Sequence, residues 1–259
     1  MSSSYNETIQ LAHAKLTTRL RVIGVRADGY HLLDAEMVSL DLADVLRFSP
    51  GNGLAVTGAT AERVPITDDN LVNRAMRLVD RTAYVHLEKV IPAGGGLGGG
   101  SSDAASVLRW AGVIDEKRAV DLGADVPFCL RGGRARVTGV GEIVQPLPFE
   151  ERTYTLLLPP FGVSTSDVFA AFDDLARTGA GAATGSSDNT NDLEVAAITV
   201  EAGLAEWRDK LARLTGRTPS LAGSGSTWFV EGAFPAPSEV DLEGGRWVVA
   251  RTTPAIALG

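Results

Sequence analysis

The chain has 259 residues, 44% of them hydrophobic, and a net charge of −8, which is enough for one large or two ordinary domains and too apolar for a disordered polymer. The acidic balance argues against non-specific nucleic-acid binding, so a phosphate would have to be met by local donors. One cysteine, Cys129, excludes an internal disulfide, no apolar run approaches a membrane span, and the first seven residues lack the pattern of a secretory signal, so the expectation is a soluble cytoplasmic protein.

Val45–Ser49 and Leu54–Thr57 are short apolar runs flanking Pro50-Gly51-Asn52-Gly53, which predicts a hairpin. Asn70–Thr82 places Leu71, Ala75, Leu78 and Val79 on one face, with Asp68 or Asp69 as N-cap, and predicts a helix. Tyr84–Ile91 alternates as a strand does, a glycine loop follows, and a helix is expected from about Ser102 to Trp110. Arg134–Val140 predicts a strand that runs into Gly139-Val140-Gly141-Glu142. Prolines and charges cluster at Pro146–Arg152, which suggests domains 1–150 and 151–259. Beyond lie a strand at Tyr154–Leu158 and a helix at Val168–Ala176. Thr178–Ser187 is small and polar enough for a mobile loop. A long helix at Leu193–Leu214 and strands at Thr227–Val230 and Arg246–Ala250 complete an α+β pattern.

Pro92-Ala93-Gly94-Gly95-Gly96-Leu97-Gly98-Gly99-Gly100-Ser101-Ser102 is the most informative stretch. A backbone so free of side chains can wrap its N–H groups around an anion, and the helix that follows points its positive end at the same place. No Gly-Lys-Ser/Thr closes the turn, so it is not a Walker A loop. A dinucleotide fold would need a strand after the helix, and Val113-Ile114-Asp115-Glu116-Lys117 is a poor one. A flexible linker would not carry Leu97 amid the glycines. Ser101 and Ser102 either N-cap the helix or meet a phosphate or a metal-bound water.

Lys15, in Ala14-Lys15-Leu16-Thr17, lies within a strand-like apolar run. It is either on the exposed face of an edge strand or a cation aimed at a reacting phosphate. Asp125, in Gly123-Ala124-Asp125-Val126-Pro127-Phe128, is either an N-cap ahead of a proline or a general base. Phosphoryl transfer to an alcohol needs a carboxylate for the hydroxyl proton and positive charge around the moving group, and a Lys–Asp pair supplies both. Arg26-Ala27-Asp28-Gly29-Tyr30-His31 reads as a tight turn whose aromatic and imidazole could stack on and bond a nucleobase. Leu221-Ala222-Gly223-Ser224-Gly225-Ser226-Thr227 is a second glycine turn, explained equally by the bend after a helix. His13 and His86 have no ligand spacing to each other or to Cys129, so zinc is unsupported.

In order along the chain, AKLT, RADGYHLL, DNLVNRA, PAGGGLGGGSSDAA, LGADVPFCLRGG, GVGE, NDLE and LAGSGSTWF resemble the GHMP kinases over about residues 12–230. RADGYH and LGADVPF resemble the branch that acts on a cytidyl-diphosphate sugar alcohol in isoprenoid precursor synthesis. The resemblance implies a ribosomal-protein-S5-like first half, a ferredoxin-like second half and an active site in the cleft. It implies ATP held by Pro92, Gly94, Gly95, Gly96, Leu97, Gly98, Gly99, Gly100, Ser101 and Ser102, with Mg²⁺ carried by the nucleotide and its ligands unassigned beyond Ser102 as a candidate. Asp125 would take the proton of the 2-hydroxyl, Lys15 would orient Asp125 and face the phosphoryl group, and Tyr30 and His31 would hold the cytosine. Phe169 would cover the other side of the base, with Thr165 and Thr17 as further contacts. The sequence departs from the family at Thr17, where asparagine is usual, at Met37, where an aromatic is common, and in a short Gly112–Leu122 segment. A GHMP kinase for another small alcohol, or a nucleotide-binding paralogue with little catalysis, are the alternatives. The only partner implied is a small molecule, with no nucleic acid and no membrane; oligomeric state is left open.

Overall fold

A computed structural model describes residues 7–178 and 190–257. Two long strands open the chain, β1 (Thr8–Val25) and β2 (His31–Ser49), paired antiparallel almost end to end. The Arg26–Tyr30 turn joins them, with Gly29 at φ +88°. Register shifts fall between His13 and Lys15 and between Thr17 and Arg19. These bulges break the two-residue alternation, and Ala14, Lys15, Leu16 and Thr17 are buried in succession.

β3 (Gly53–Thr57), α1 (Leu71–Leu78) and β4 (Tyr84–Glu88) follow. The expected hairpin between the 45–49 and 54–57 runs does not form. β4 inserts between them, antiparallel to β2 and parallel to β3. A parallel pair needs a crossover, and α1 supplies it while Leu54 and Val56 pack into the core. The N-cap of α1 is Asn70, whose side chain accepts from Val72 N, rather than Asp68 or Asp69. The helix ends short of Thr82, where Asp80 takes a left-handed φ of +50°.

α2 (Gly99–Trp110), α3 (Glu116–Ala119), α4 (Val126–Arg131), β5 (Arg134–Gly139) and β6 (Ile143–Pro146) complete a six-stranded sheet. Its order is β3-β4-β2-β5-β6, with β1 on the open side of β2. α2 begins three residues before Ser102, and its N-cap is Gly98, so neither serine caps it. The short segment before Asp125 holds only the one-turn α3.

The second sheet takes β7 (Thr153–Leu158), β8 (Ser220–Leu221), β9 (Trp228–Glu231) and β10 (Arg246–Arg251) in the antiparallel order β10-β7-β9-β8. That fourth–first–third–second order is what a ferredoxin-like half requires. α5 (Thr165–Thr178), α6 (Glu194–Val200) and α7 (Gly203–Thr215) pack on it, and α8 (Glu239–Leu242) precedes β10. The predicted long helix is two: Glu201 turns extended, and its carboxylate accepts from Gly203 N to start α7. Past Thr178, the stretch expected as a mobile loop lies outside the described residues.

A core cluster under α1 and α2 and another under α5–α7 anchor the two sheets. A third joins them: Leu16, Val38 and Leu40 meet Leu156, Leu158, Phe229 and Ala250, with Ile91 and Leu97 among them. Leu97 interrupts the glycines because it is the buried root of their loop.

The outer edge of β1 is sealed rather than open. Lys15 N donates to Leu97 O, Leu20 exchanges backbone bonds with Thr190 and Asp192, and Val22 N donates to the Asp192 carboxylate. Arg109, Ser106 and Ser102 side chains donate to Leu11 O and His13 O. An uncovered strand of this length would be a template for pairing with another chain.

Candidate active site

The glycine loop lies between two partners. Gly94 O accepts from Val163 N and Ser226 N, and Gly95 O accepts from Thr227 N. The second glycine turn, which joins β8 to β9 and does not follow a helix, presses backbone to backbone on the first. A Cβ on Gly96 would lie 2.0 Å from Ala222 O, and one on Gly225 would lie 2.0 Å from Gly96 N. Asn191 anchors that turn, donating to Leu221 O and Gly223 O. The C-cap of α7 is a different glycine, Gly216.

Gly98 is in the left-handed region at φ +66°, and Lys15 lies across it, with Cγ 2.7 Å from where a Cβ would stand. The first backbone bond of α2 runs from Ser102 N to Gly98 O, so the N–H groups of Gly99, Gly100 and Ser101 precede it. This is the electropositive end of a twelve-residue helix with no acidic residue in its first turn.

A cavity of about 390 Å³ opens over the loop, lined by Pro92, Gly94–Gly100, Ser101, Lys89, Asp103, Asn70, Lys15 and Asp125 among others. A second, of about 590 Å³, is lined by Thr17, Tyr30, His31, Met37, Phe169 and Asp173, and again by Lys15 and Asp125. Five residues line both: Lys15, Ser101, Asp125, Thr165 and Ser224. Thr165 Oγ1 and Ser224 Oγ are hydrogen-bonded at 2.9 Å within that shared wall.

Lys15 Nζ lies 3.3 Å from Asp125 Oδ2 and donates to Thr17 Oγ1 at 3.2 Å. It is 5% exposed, so the edge-strand reading fails: the bulges turn this stretch of β1 inward and the glycine loop covers it. Asp125 stands at the N-cap of α4, with Pro127 in the first turn, but its side chain makes no capping bond. The carboxylate is free to face the junction. Thr17 supplies a hydroxyl acceptor for the lysine.

Of the residues singled out in the glycine loop, Ser102 alone lines neither cavity. It is buried, and its hydroxyl donates to His13 O, with Cys129 Sγ at 3.2 Å. It faces the core and not a phosphate or a metal. Burial pushes the Cys129 thiol up to about 12, aided by the Asp125 charge, so it is neutral and unreactive. In the second cavity Tyr30 is exposed, with the Arg26 guanidinium 5.5 Å over its ring. Phe169 stacks on His31 itself, centroids 4.7 Å apart.

A second charge cluster underlies the first cavity. Lys89 Nζ bonds Asp44 Oδ2 at 2.5 Å and Asp103 Oδ2 at 2.8 Å, all three buried. Asp44 Oδ1 also accepts from Val90 N and Ile91 N, which sets the chain leading into the loop. Burial presses the Lys89 ammonium down, but Asp103 and Asp44 outweigh it and hold it above its usual range. Burial pushes Asp103 up to about 7 against the pull of Lys89, with Asp44 adding to the rise; its Oδ1 has no partner among the described residues.

A carboxyl whose folded pKa stands above its unfolded 3.8 keeps its proton longer in the fold. Its contribution to stability is present at low pH and drains away as pH climbs from about 4 to about 7, at up to roughly 1.4 kcal/mol per pH unit. Asp103→Asn is therefore expected to gain on the parent protein as pH rises, with urea midpoints diverging between about pH 4 and about pH 7. A difference that stays constant over that window would remove the assignment.

Sequence reasoning missed Ser224, Lys89, Asp103 and Asp173. Ser224 lies in the second glycine turn, where the turn alone gives no sign that this serine reaches a site. Lys89 and Asp103 bracket the loop at either end, and acidic residues at both Asp44 and Asp103 become meaningful only once they converge. Asp173 follows Phe169 by one helical turn.

The pattern of the GHMP kinases N terminal domain matches residues 70–133, which hold the loop and Asp125. Site and match together define a small-molecule kinase. The 4-diphosphocytidyl-2-C-methyl-D-erythritol kinase of Paracoccus denitrificans is 41% identical over 261 residues, covering 95% of this chain and 93% of its own. That of Cereibacter sphaeroides is 39% identical over 271 residues, 94% of this chain and 98% of its own. The crystal structure of a 4-(cytidine 5'-diphospho)-2C-methyl-D-erythritol kinase is 31% identical, with a TM-score of 0.73 over 95% of this chain and 99% of that one. The chain belongs to the 4-diphosphocytidyl-2-C-methyl-D-erythritol kinase family of the GHMP kinases.

Proposed function

We propose that this protein moves the terminal phosphoryl group of ATP to the 2-hydroxyl of 4-diphosphocytidyl-2-C-methyl-D-erythritol, a step of isoprenoid precursor synthesis. The observation that carries the reading is the shared wall: one cavity over a glycine loop and one beside aromatics meet at Lys15 and Asp125. In-line transfer needs donor and acceptor brought together at one point.

In this reading residues 1–150 form the ATP-binding half and 151–259 the other. The N–H groups at the start of α2 and along the glycine loop hold the phosphates. Asp125 accepts the proton of the acceptor hydroxyl as that oxygen bonds to the γ-phosphorus and the bond from phosphorus to the bridging oxygen breaks, releasing ADP. Lys15 orients Asp125 across their 3.3 Å ion pair and faces the negative charge of the moving group. Thr17 and Thr165 contact the acceptor, while Tyr30, His31 and Phe169 receive its base. Mg²⁺ bound with ATP would neutralise charge on the phosphates; such an ion takes few protein ligands, and the Ser101 hydroxyl at the junction is an oxygen donor of the kind it would accept.

The test is conversion of ATP to ADP with the cytidyl-diphospho-methylerythritol acceptor and a panel of other small alcohols, with mass detection. The expected product is one phosphate heavier and forms fastest from the cytidyl acceptor. Faster turnover of an acceptor without a base would reassign the substrate. Tight ATP binding with no transfer to any acceptor would end the kinase reading.

A further inference from the structure

We propose that Asp173 determines base selectivity in this site by fixing the tautomer of His31. Oδ1 of Asp173 lies 2.7 Å from His31 Nε2. A carboxylate only accepts, so in the neutral ring the proton is on Nε2 and Nδ1 carries a lone pair. Nδ1 makes no hydrogen bond among the described residues, and His31 lines the second cavity.

The ring is also held in place. Phe169 stacks on it at 4.7 Å with planes 27° apart, and Phe172 meets it edge-on at 6.0 Å. Phe169, Phe172 and Asp173 are three and four residues apart on α5, and so share one face of that helix. Turning the imidazole over would put Cε1 in the place of Nε2 and break the bond to Asp173. The site therefore presents a fixed acceptor, suited to an exocyclic amine such as that of cytosine. Against a ring carbonyl at the same place, as in uracil, two lone pairs would be opposed.

This rests on the second cavity receiving the nucleobase. It adds a residue that touches no base in that reading and acts through His31, so Asp173 is a positioning residue. In the full-length protein, cytidyl and uridyl forms of the acceptor would be compared with saturating ATP. The parent protein is expected to prefer the cytidyl form. Asp173→Ala should raise KM for the cytidyl acceptor roughly 10- to 100-fold with kcat little changed, and shrink the cytidyl-to-uridyl ratio by a similar factor. Asp173→Asn is the second variant; its amide offers a donor as well as an acceptor, so the ring is no longer held to one form and the ratio falls in the same direction. Nitrogen-15 NMR of His31 should show a protonated Nε2 and bare Nδ1 in the parent, and a tautomer mixture in the variants. Unchanged ratio and unchanged tautomer in both variants would overturn the role of Asp173 alone. A parent protein indifferent to the base would overturn the base reading, and this proposal with it.

Discussion

Asp125→Asn is expected to lower kcat by roughly 10²–10⁴-fold while leaving ATP affinity close to that of the parent protein. The substitution keeps shape and volume. It cannot disturb α4 through capping, since the Asp125 side chain makes no capping bond. What it removes is an acceptor for the hydroxyl proton and the negative partner of Lys15, 3.3 Å away. The donors over the glycine loop are backbone groups on another segment, so nucleotide binding has no reason to fall. Lys15 keeps its bond to Thr17, and a urea titration would show how much stability the lost ion pair carried. Single-turnover rates and nucleotide titration, run together, make the check. A variant turning over within a few-fold of the parent would leave the proton without its assigned acceptor.

Gly96→Ala should be among the most damaging single substitutions in the molecule. The residue sits at φ +77°, where a side chain is strained by about 1–2 kcal/mol. The added carbon would also stand 2.0 Å from Ala222 O and 2.9 Å from Gly225 Cα. Those atoms are backbone, and they cannot rotate away as a side chain could. A stability loss of roughly 3 kcal/mol or more is expected, together with loss of nucleotide binding as the two turns part. Gly112→Ala is the control: φ is +72°, but nothing lies within 4 Å of the new carbon. It should lose only the backbone strain. Equal urea midpoints for the two variants would mean that the contact between the turns yields easily.

The class of the fold and the character of the loop were legible because they depend on local chemistry. Glycines bracketed by Pro92 and the serines, with one leucine among them, state their own purpose. The tight turn before His31 formed as read. What the sequence hid was convergence and interruption. Lys15 and Asp125 are 110 positions apart, and nothing local tells that they touch. Lys15 stays open in the sequence between an exposed edge residue and a buried cation because two bulges suspend the strand alternation there. The hairpin at Pro50–Gly53 was misread because the partner that both runs prefer, β4, comes some thirty residues later. The start of α2 was placed at the serines, which are good caps, whereas Gly98 takes the left-handed turn that begins it. Ser102 then falls on the buried side of the helix, away from the cavity it was expected to line.

The seal along β1 has a consequence for synthesis on the ribosome. The β1–β2 ribbon emerges well before the carboxylate that covers its middle, Asp192, which belongs to a segment 171 residues beyond Arg21. Until that segment leaves the exit tunnel, the backbone from Leu20 to Val22 waits as a bare sticky rail. Nascent chains halted before position 190 should therefore clump or recruit holdase chaperones, and chains released just past it should not.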